Sequence, residues 1–202
     1  MKHALISLAG AAFVALAAAP NASAQASAPA GGSAPQTAAA PLFNGSISLA
    51  EVLAAQRAWG DALVRISADF EQGGITRARA TANRVLDTAY GYNLGPVLFK
   101  PTLTVAPQTF RTTREGALAY FVGGDKAFPS DSGFALKGWT RVDIENAAVH
   151  INGEVAMTTG NVTLTDKKGQ RTTVDKTWAF KKDDAGQLRI VLHHSSLPHR
   201  AN

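Results

Sequence analysis

Apolar positions from Val52 onward recur at helical spacing, with Val52, Ala55, Trp59, Leu63, Ile66 and Phe70 on one face. Ser48 followed three residues later by Glu51 is a capping-box signature for the start of that helix, and Gly73-Gly74 marks its end. A second amphipathic segment, Ile75 to Ala89, gathers Ala78, Ala82, Val85, Leu86 and Ala89 on one face, with Arg77, Arg79 and Arg84 elsewhere, and Gly91 stops it. PVLFKPTLT reads as a short extended segment whose Pro96 and Pro101 argue against a central, fully hydrogen-bonded strand. Thr112 with Glu115 predicts a further capping box and a short helix carrying Leu118, Tyr120 and Phe121, closed by Gly123-Gly124.

Past a loop of Gly, Pro, Ser and Asp the pattern changes from helical to alternating. GWTRVDIENAAVHING, EVAMTTGNVTLT, RTTVDKTWAFKK and QLRIVLHHSS are rich in Val, Ile, Thr and Trp, and their connections at Asn152-Gly153, Asp166 to Gly169 and Asp183 to Gly186 have hairpin-turn chemistry. Helices first and an antiparallel meander afterwards predict an α+β fold. Its economical form is a cone, a strongly bent antiparallel sheet wrapped around the N-terminal helices, with a cavity between the layers where polar side chains converge. The apolar row through Trp178 and Phe180 is covered either by the chain's own core or by a second copy, giving a homodimer.

The N-terminal composition narrows the folded part. Lys2, an apolar run from Leu5 to Ala19 and Ala22-Ser23-Ala24 have the layout of a signal peptide over residues 1–24, which predicts a periplasmic or secreted protein. Residues 25–46, built of Ala, Pro, Gly and Ser, form a predicted disordered linker, leaving residues 47–202 as the domain. No later segment is apolar enough to span a bilayer, so no membrane association is expected after cleavage. The chain has no cysteine, which removes disulfides, thiolate nucleophiles and Cys-ligated metals. Its formal charge of +5 is scattered rather than gathered on one face, and no nucleic-acid partner is expected.

The stretch LRIVLHHSSLPHR holds the most chemistry. In a regular strand His193 and His194 point to opposite faces and would not share one ion, and His150 and His199 stand at no useful spacing, so a protein-built zinc site is disfavoured. Ser195 and His193 share a face, yet no G-x-S-x-G elbow or orienting acid accompanies them, which disfavours a hydrolytic triad. Regular alternation puts Leu188, Ile190, Leu192, His194 and Ser196 on one side and Arg189, Val191, His193 and Ser195 on the other, one row for the core and one for a polar cavity wall.

The runs GYNLGPVLFKPTLT, FRTTREGALAYFVGGDKAFPSDSGFALKGW and LHHSSLP resemble the iota-class carbonic anhydrases, cone-shaped members of the NTF2-like/SnoaL-like superfamily related to the CaM kinase II association domain. The resemblance extends from about Ser48 to Pro198, and HHSS is its most specific element. It implies an NTF2-like cone that hydrates CO2 to bicarbonate, with a pocket lined by Thr102, Tyr120, His193 and Ser195. Members of the class are described as metal-free or as metal-dependent; the histidine arithmetic favours no cofactor, with Zn or Mn as the alternative. On this reading the hydroxyls of Thr102, Tyr120 and Ser195 orient water and bicarbonate, and an exposed or semi-exposed His193 shuttles the proton. Either an ionised tyrosine or direct attack by oriented water would then drive turnover. Two rival functions remain, a SnoaL-like isomerase or cyclase and a non-enzymatic module that oligomerises or binds a small anion.

Overall fold

The structure is a computed structural model that describes residues 45–199, so the predicted signal peptide and nearly all of the predicted linker lie outside the described residues. The first helix, α1 (Leu49–Ala89), opens on the expected capping box: Glu51 N–H donates to Ser48 Oγ at 3.3 Å and Ser48 N–H to Glu51 Oε2 at 2.8 Å. Gly74, at φ 65° and ψ −165°, breaks α1 into the two helical runs that the pattern predicts, a conformation open to glycine because it has no Cβ. Asp69 ties the two runs together, accepting from Arg65 on its own side and from Arg77 at 2.8 Å and Thr81 at 2.7 Å across the break. The inward face buries Val52, Trp59, Leu63 and Ile66 before the kink and Ala78, Ala82 and Leu86 after it, whereas Phe70, at the end of the predicted row, is exposed.

The short β1 (Leu98–Lys100) precedes α2 (Arg114–Val122) and a 3-10 turn at Phe134–Leu136. The cap of α2 is one residue later than the sequence suggests: Thr113, not Thr112, accepts from Gly116 N–H, so Glu115 falls one place short of closing a box. Four long strands follow, β2 (Trp139–Asn152), β3 (Val155–Asp166), β4 (Arg171–Lys182) and β5 (Leu188–Ser196). The sheet order is β1-β5-β4-β3-β2. The meander is antiparallel as expected, but the sheet as a whole is mixed, because β1 runs parallel to β5 with Phe99 opposite His193. That edge place suits a segment flanked by Pro96 and Pro101.

Bulges bend the sheet onto the helices. On β2 the register shifts between Asn146 and Ala148, and the backbone there presses on Gly160 of β3. A Cβ at Gly160 would lie 2.0 Å from the Glu145 carbonyl oxygen and 2.8 Å from Asn146 Cα, so only glycine fits. On β5 the register shifts as well: Phe180 pairs with Ile190, but Ala179 pairs with Leu192, leaving Val191 as the extra residue. Regular alternation therefore fails in β5. Ile190 and His193 lie opposite Phe180 and Trp178, which are two residues apart on β4, so Ile190 of the expected core row shares the inward face with His193 and Ser195, while Leu192 and His194 of that row fall on the other face. Trp178 and Phe180 are themselves about 1% exposed, covered by the chain's own core rather than by a second copy.

A buried ion pair locks the segment after β1 onto the loop after α2. Arg111 grips Asp131 with Nε to Oδ2 at 2.8 Å and Nη2 to Oδ1 at 2.7 Å, its guanidinium lies 4.6 Å from the Phe128 ring centre, and its own N–H donates to Phe99 O at 2.9 Å. Arg111→Met leaves Asp131 buried without its partner and is expected to lower stability by about 3–5 kcal/mol in denaturant titration. Gly160→Ala, by forcing the β2 and β3 backbones apart, is expected to lower it by about 1–3 kcal/mol in the same measurement.

Candidate active site

Period-2 geometry on β4 points Val174, Lys176, Trp178 and Phe180 inward, and the bulge on β5 brings His193 and Ser195 beside them. The chain leaving β1 adds Thr102, and α2 adds Tyr120 from across the layer. Thr102, Tyr120, His193 and Ser195, the residues singled out in the sequence, all line one small cavity, walled also by Trp59, Phe99, Phe121, Phe134 and Lys176. A larger cleft opens where α1 ends, but its arginine, Arg114, is already held by Asp87 at 2.7 Å and by the Asn83 side chain at 3.0 Å. The small cavity is where the buried polar side chains converge.

Within it the Thr102 and Ser195 hydroxyls are 2.5 Å apart. One donates to the other, which leaves the second hydroxyl proton of the pair to point elsewhere. Tyr120 stacks on Phe134 at 5.3 Å and meets Phe99 edge-on at 5.7 Å. Burial pushes its phenol well above the usual tyrosine range, against the opposing pull of the Leu103 backbone and Thr102. Tyr120 is therefore a neutral donor at ordinary pH, and the ionised-tyrosine route is set aside.

His193 departs from expectation. It is 2% exposed, not exposed or semi-exposed, and its ring stacks on Phe99 with centres 4.4 Å apart. Both ring nitrogens are occupied: Nδ1 is 2.8 Å from Tyr90 Oη, and Nε2 is 2.8 Å from Lys176 Nζ. Burial, reinforced by Lys176 and His194, holds its pKa well below the usual histidine value. A neutral, doubly engaged imidazole cut off from solvent does not shuttle protons to water. His194 is the exposed member of the pair.

Three residues of this network were not singled out in the sequence. Tyr90 follows α1, receives Trp59 Nε1–H at 3.0 Å and passes the contact on to His193. Lys176 lies 4.8 Å from the Trp59 ring centre and 5.6 Å from that of Trp178. A signal for Lys176 was present, since in RTTVDKTWAF it holds a place in the row otherwise made of Val174, Trp178 and Phe180. Trp59 was legible as core but not as a hydrogen-bond donor, and Tyr90 had no distinguishing pattern. Among the described residues no group of three or more His, Asp or Glu side chains is placed to hold a metal ion, and no helix is long and apolar enough to cross a membrane.

Comparison with known proteins gives this geometry its setting. A protein of Nostoc sp. (strain PCC 7120) described as a metal-independent carbonic anhydrase is 62% identical over 159 residues, 79% of this chain and 78% of that one. The crystal structure of an iota-carbonic anhydrase from a cyanobacterium, complexed with bicarbonate, is 61% identical with a TM-score of 0.78, covering 80% of this chain and 99% of that one. A putative calcium/calmodulin-dependent protein kinase II association domain from Xanthomonas campestris shares the fold alone, at 22% identity and a TM-score of 0.50 over 80% of this chain and all of that one. Residues 50–197 match the family described as metal-independent carbonic anhydrase, and the chain belongs to that family.

Proposed function

We propose that the chain catalyses the reversible hydration of CO2 to bicarbonate and a proton in the cavity between β1, β5 and α2, without a metal cofactor. The observation that carries this reading is the meeting of three hydroxyls, from Thr102, Tyr120 and Ser195, inside a pocket otherwise walled by aromatic rings. CO2 is apolar and linear, and rings such as Phe99, Phe121 and Phe134 accommodate it without desolvating anything. Bicarbonate is a planar anion, and the linked hydroxyls of Ser195, Thr102 and neutral Tyr120 can turn a donor toward its oxygens. As charge grows on those oxygens along the reaction, the donors bind more strongly than they bind CO2, which is the condition for acceleration. The family's description as metal-independent and the high identity to a protein seen with bicarbonate support the same conclusion.

His193 has a positioning role here rather than the shuttle role read from sequence. Pinned on both nitrogens, it holds β5 so that Ser195 meets Thr102. The leader-like residues 1–24 support a periplasmic or secreted location, which cell fractionation tests.

The function is tested by stopped-flow CO2 hydration on protein dialysed against EDTA. The dialysed protein is expected to match the untreated one, and loss of activity that Zn or Mn restores would refute the metal-free reading. Ser195→Ala and Tyr120→Phe each remove a donor to the developing anion and are expected to lower kcat/KM about 10²-fold.

A further inference from the structure

Hydration of CO2 releases a proton, and none of the hydroxyls in the cavity is a base at neutral pH. His193 has no free nitrogen. Lys176 is the remaining candidate. It is 5% exposed on the inward row of β4, lines the cavity with Thr102, Tyr120 and Ser195, and makes no ion pair among the described residues. Its one hydrogen-bond partner there is His193, so an amine at this position keeps valences for a molecule in the cavity. Burying a lysine without a counter-ion opposes folding, and such a group beside a reaction cavity points to function.

We propose that the neutral amine of Lys176 is the base that takes the proton from the water adding to CO2. This assignment rests on the cavity being the site of CO2 hydration. In the step, the water oxygen forms a bond to the CO2 carbon and one carbon–oxygen π pair moves onto oxygen. The water proton passes to Nζ, leaving bicarbonate and a lysine ammonium. The ammonium can only donate to His193, so Nε2 accepts, the imidazole proton sits on Nδ1, and Nδ1–H donates to Tyr90 Oη, which also accepts from Trp59, so that the Tyr90 hydroxyl proton has no acceptor among the described residues. Returning the proton to water from an N–H facing the cavity restores a free lone pair and leaves this polarity unchanged. The Trp59 and Trp178 rings lie within cation–π range of the ammonium, and the ammonium in turn faces the newly formed anion.

The titratable groups facing Nζ are His193 from β5, Tyr90 after α1 and Tyr120 from α2, and burial keeps all three neutral. Desolvation brings Lys176 down to about 7, so the amine predominates above that pH. Hydration activity accordingly rises with pH through about 7 and levels off above it.

Two measurements on the whole protein test the assignment. In the wild type, NMR of ¹⁵N-labelled lysine and histidine, with Lys176 assigned by its proximity to the Trp59 and Trp178 rings, should show Nζ titrating near 7 and His193 as the Nδ1–H tautomer. Titration above about pH 9, or an Nε2–H tautomer that fills the amine lone pair, would overturn the proposal. In stopped-flow assays Lys176→Met should lower kcat/KM about 10²-fold and abolish the inflection near 7, and Lys176→Arg, a permanent cation, should not restore it. An active wild type with an equally active Lys176→Met sinks the lysine assignment alone. An inactive wild type sinks the functional reading and this proposal with it.

Discussion

Everything about this site depends on one extra residue in β5. Without the bulge at Val191, strict alternation would send His193 and Ser195 to the opposite side from Ile190. With it, a single strand first buries Ile190 in the core and then presents an imidazole and a hydroxyl to the same interior. The bulge uses no polar side chain of its own. It changes direction alone, and that is what converts a core strand into one wall of a reaction chamber.

An interior that holds Lys176, His193, Tyr90, Ser195 and Thr102 would ordinarily be unstable, because an unsatisfied buried polar group costs about 1–3 kcal/mol. The chain avoids most of that by linking the groups: Trp59 to Tyr90, Tyr90 to His193, His193 to Lys176, and Thr102 to Ser195. Such a network is cooperative, because each bond depends on the orientation its neighbours take. The aromatic rings around it exclude water, which strengthens the remaining electrostatics of the cavity. Trp178 Nε1 is the buried side-chain atom left without a partner among the described residues, a local expense the surrounding packing absorbs.

The helices, the hairpins and the four long strands were legible because each has a local cause: caps, turn glycines and periodicity. The parallel pairing of β1 was not, because a three-residue segment between prolines carries no information about direction. Thr102, Tyr120, His193 and Ser195 came from family resemblance, and nothing in their spacing would have selected them. The surroundings of His193 were misread for a physical reason, as periodicity counts residues and a bulge adds one. Lys176 could have been found, since a charge within an apolar alternating row is a local contradiction, and such contradictions gather at functional sites.

The doubled motif His193-His194-Ser195-Ser196 is degenerate under a slip of one residue. A β5 without its bulge would still direct a histidine and a serine inward, now His194 and Ser196, so the polar residues themselves cannot tell the chain which register is native. Discrimination falls to apolar contacts: Leu192 against Ala179, and Phe99 stacked on the imidazole. The fidelity of the reaction centre is thus encoded in hydrocarbon shape rather than in the groups that react.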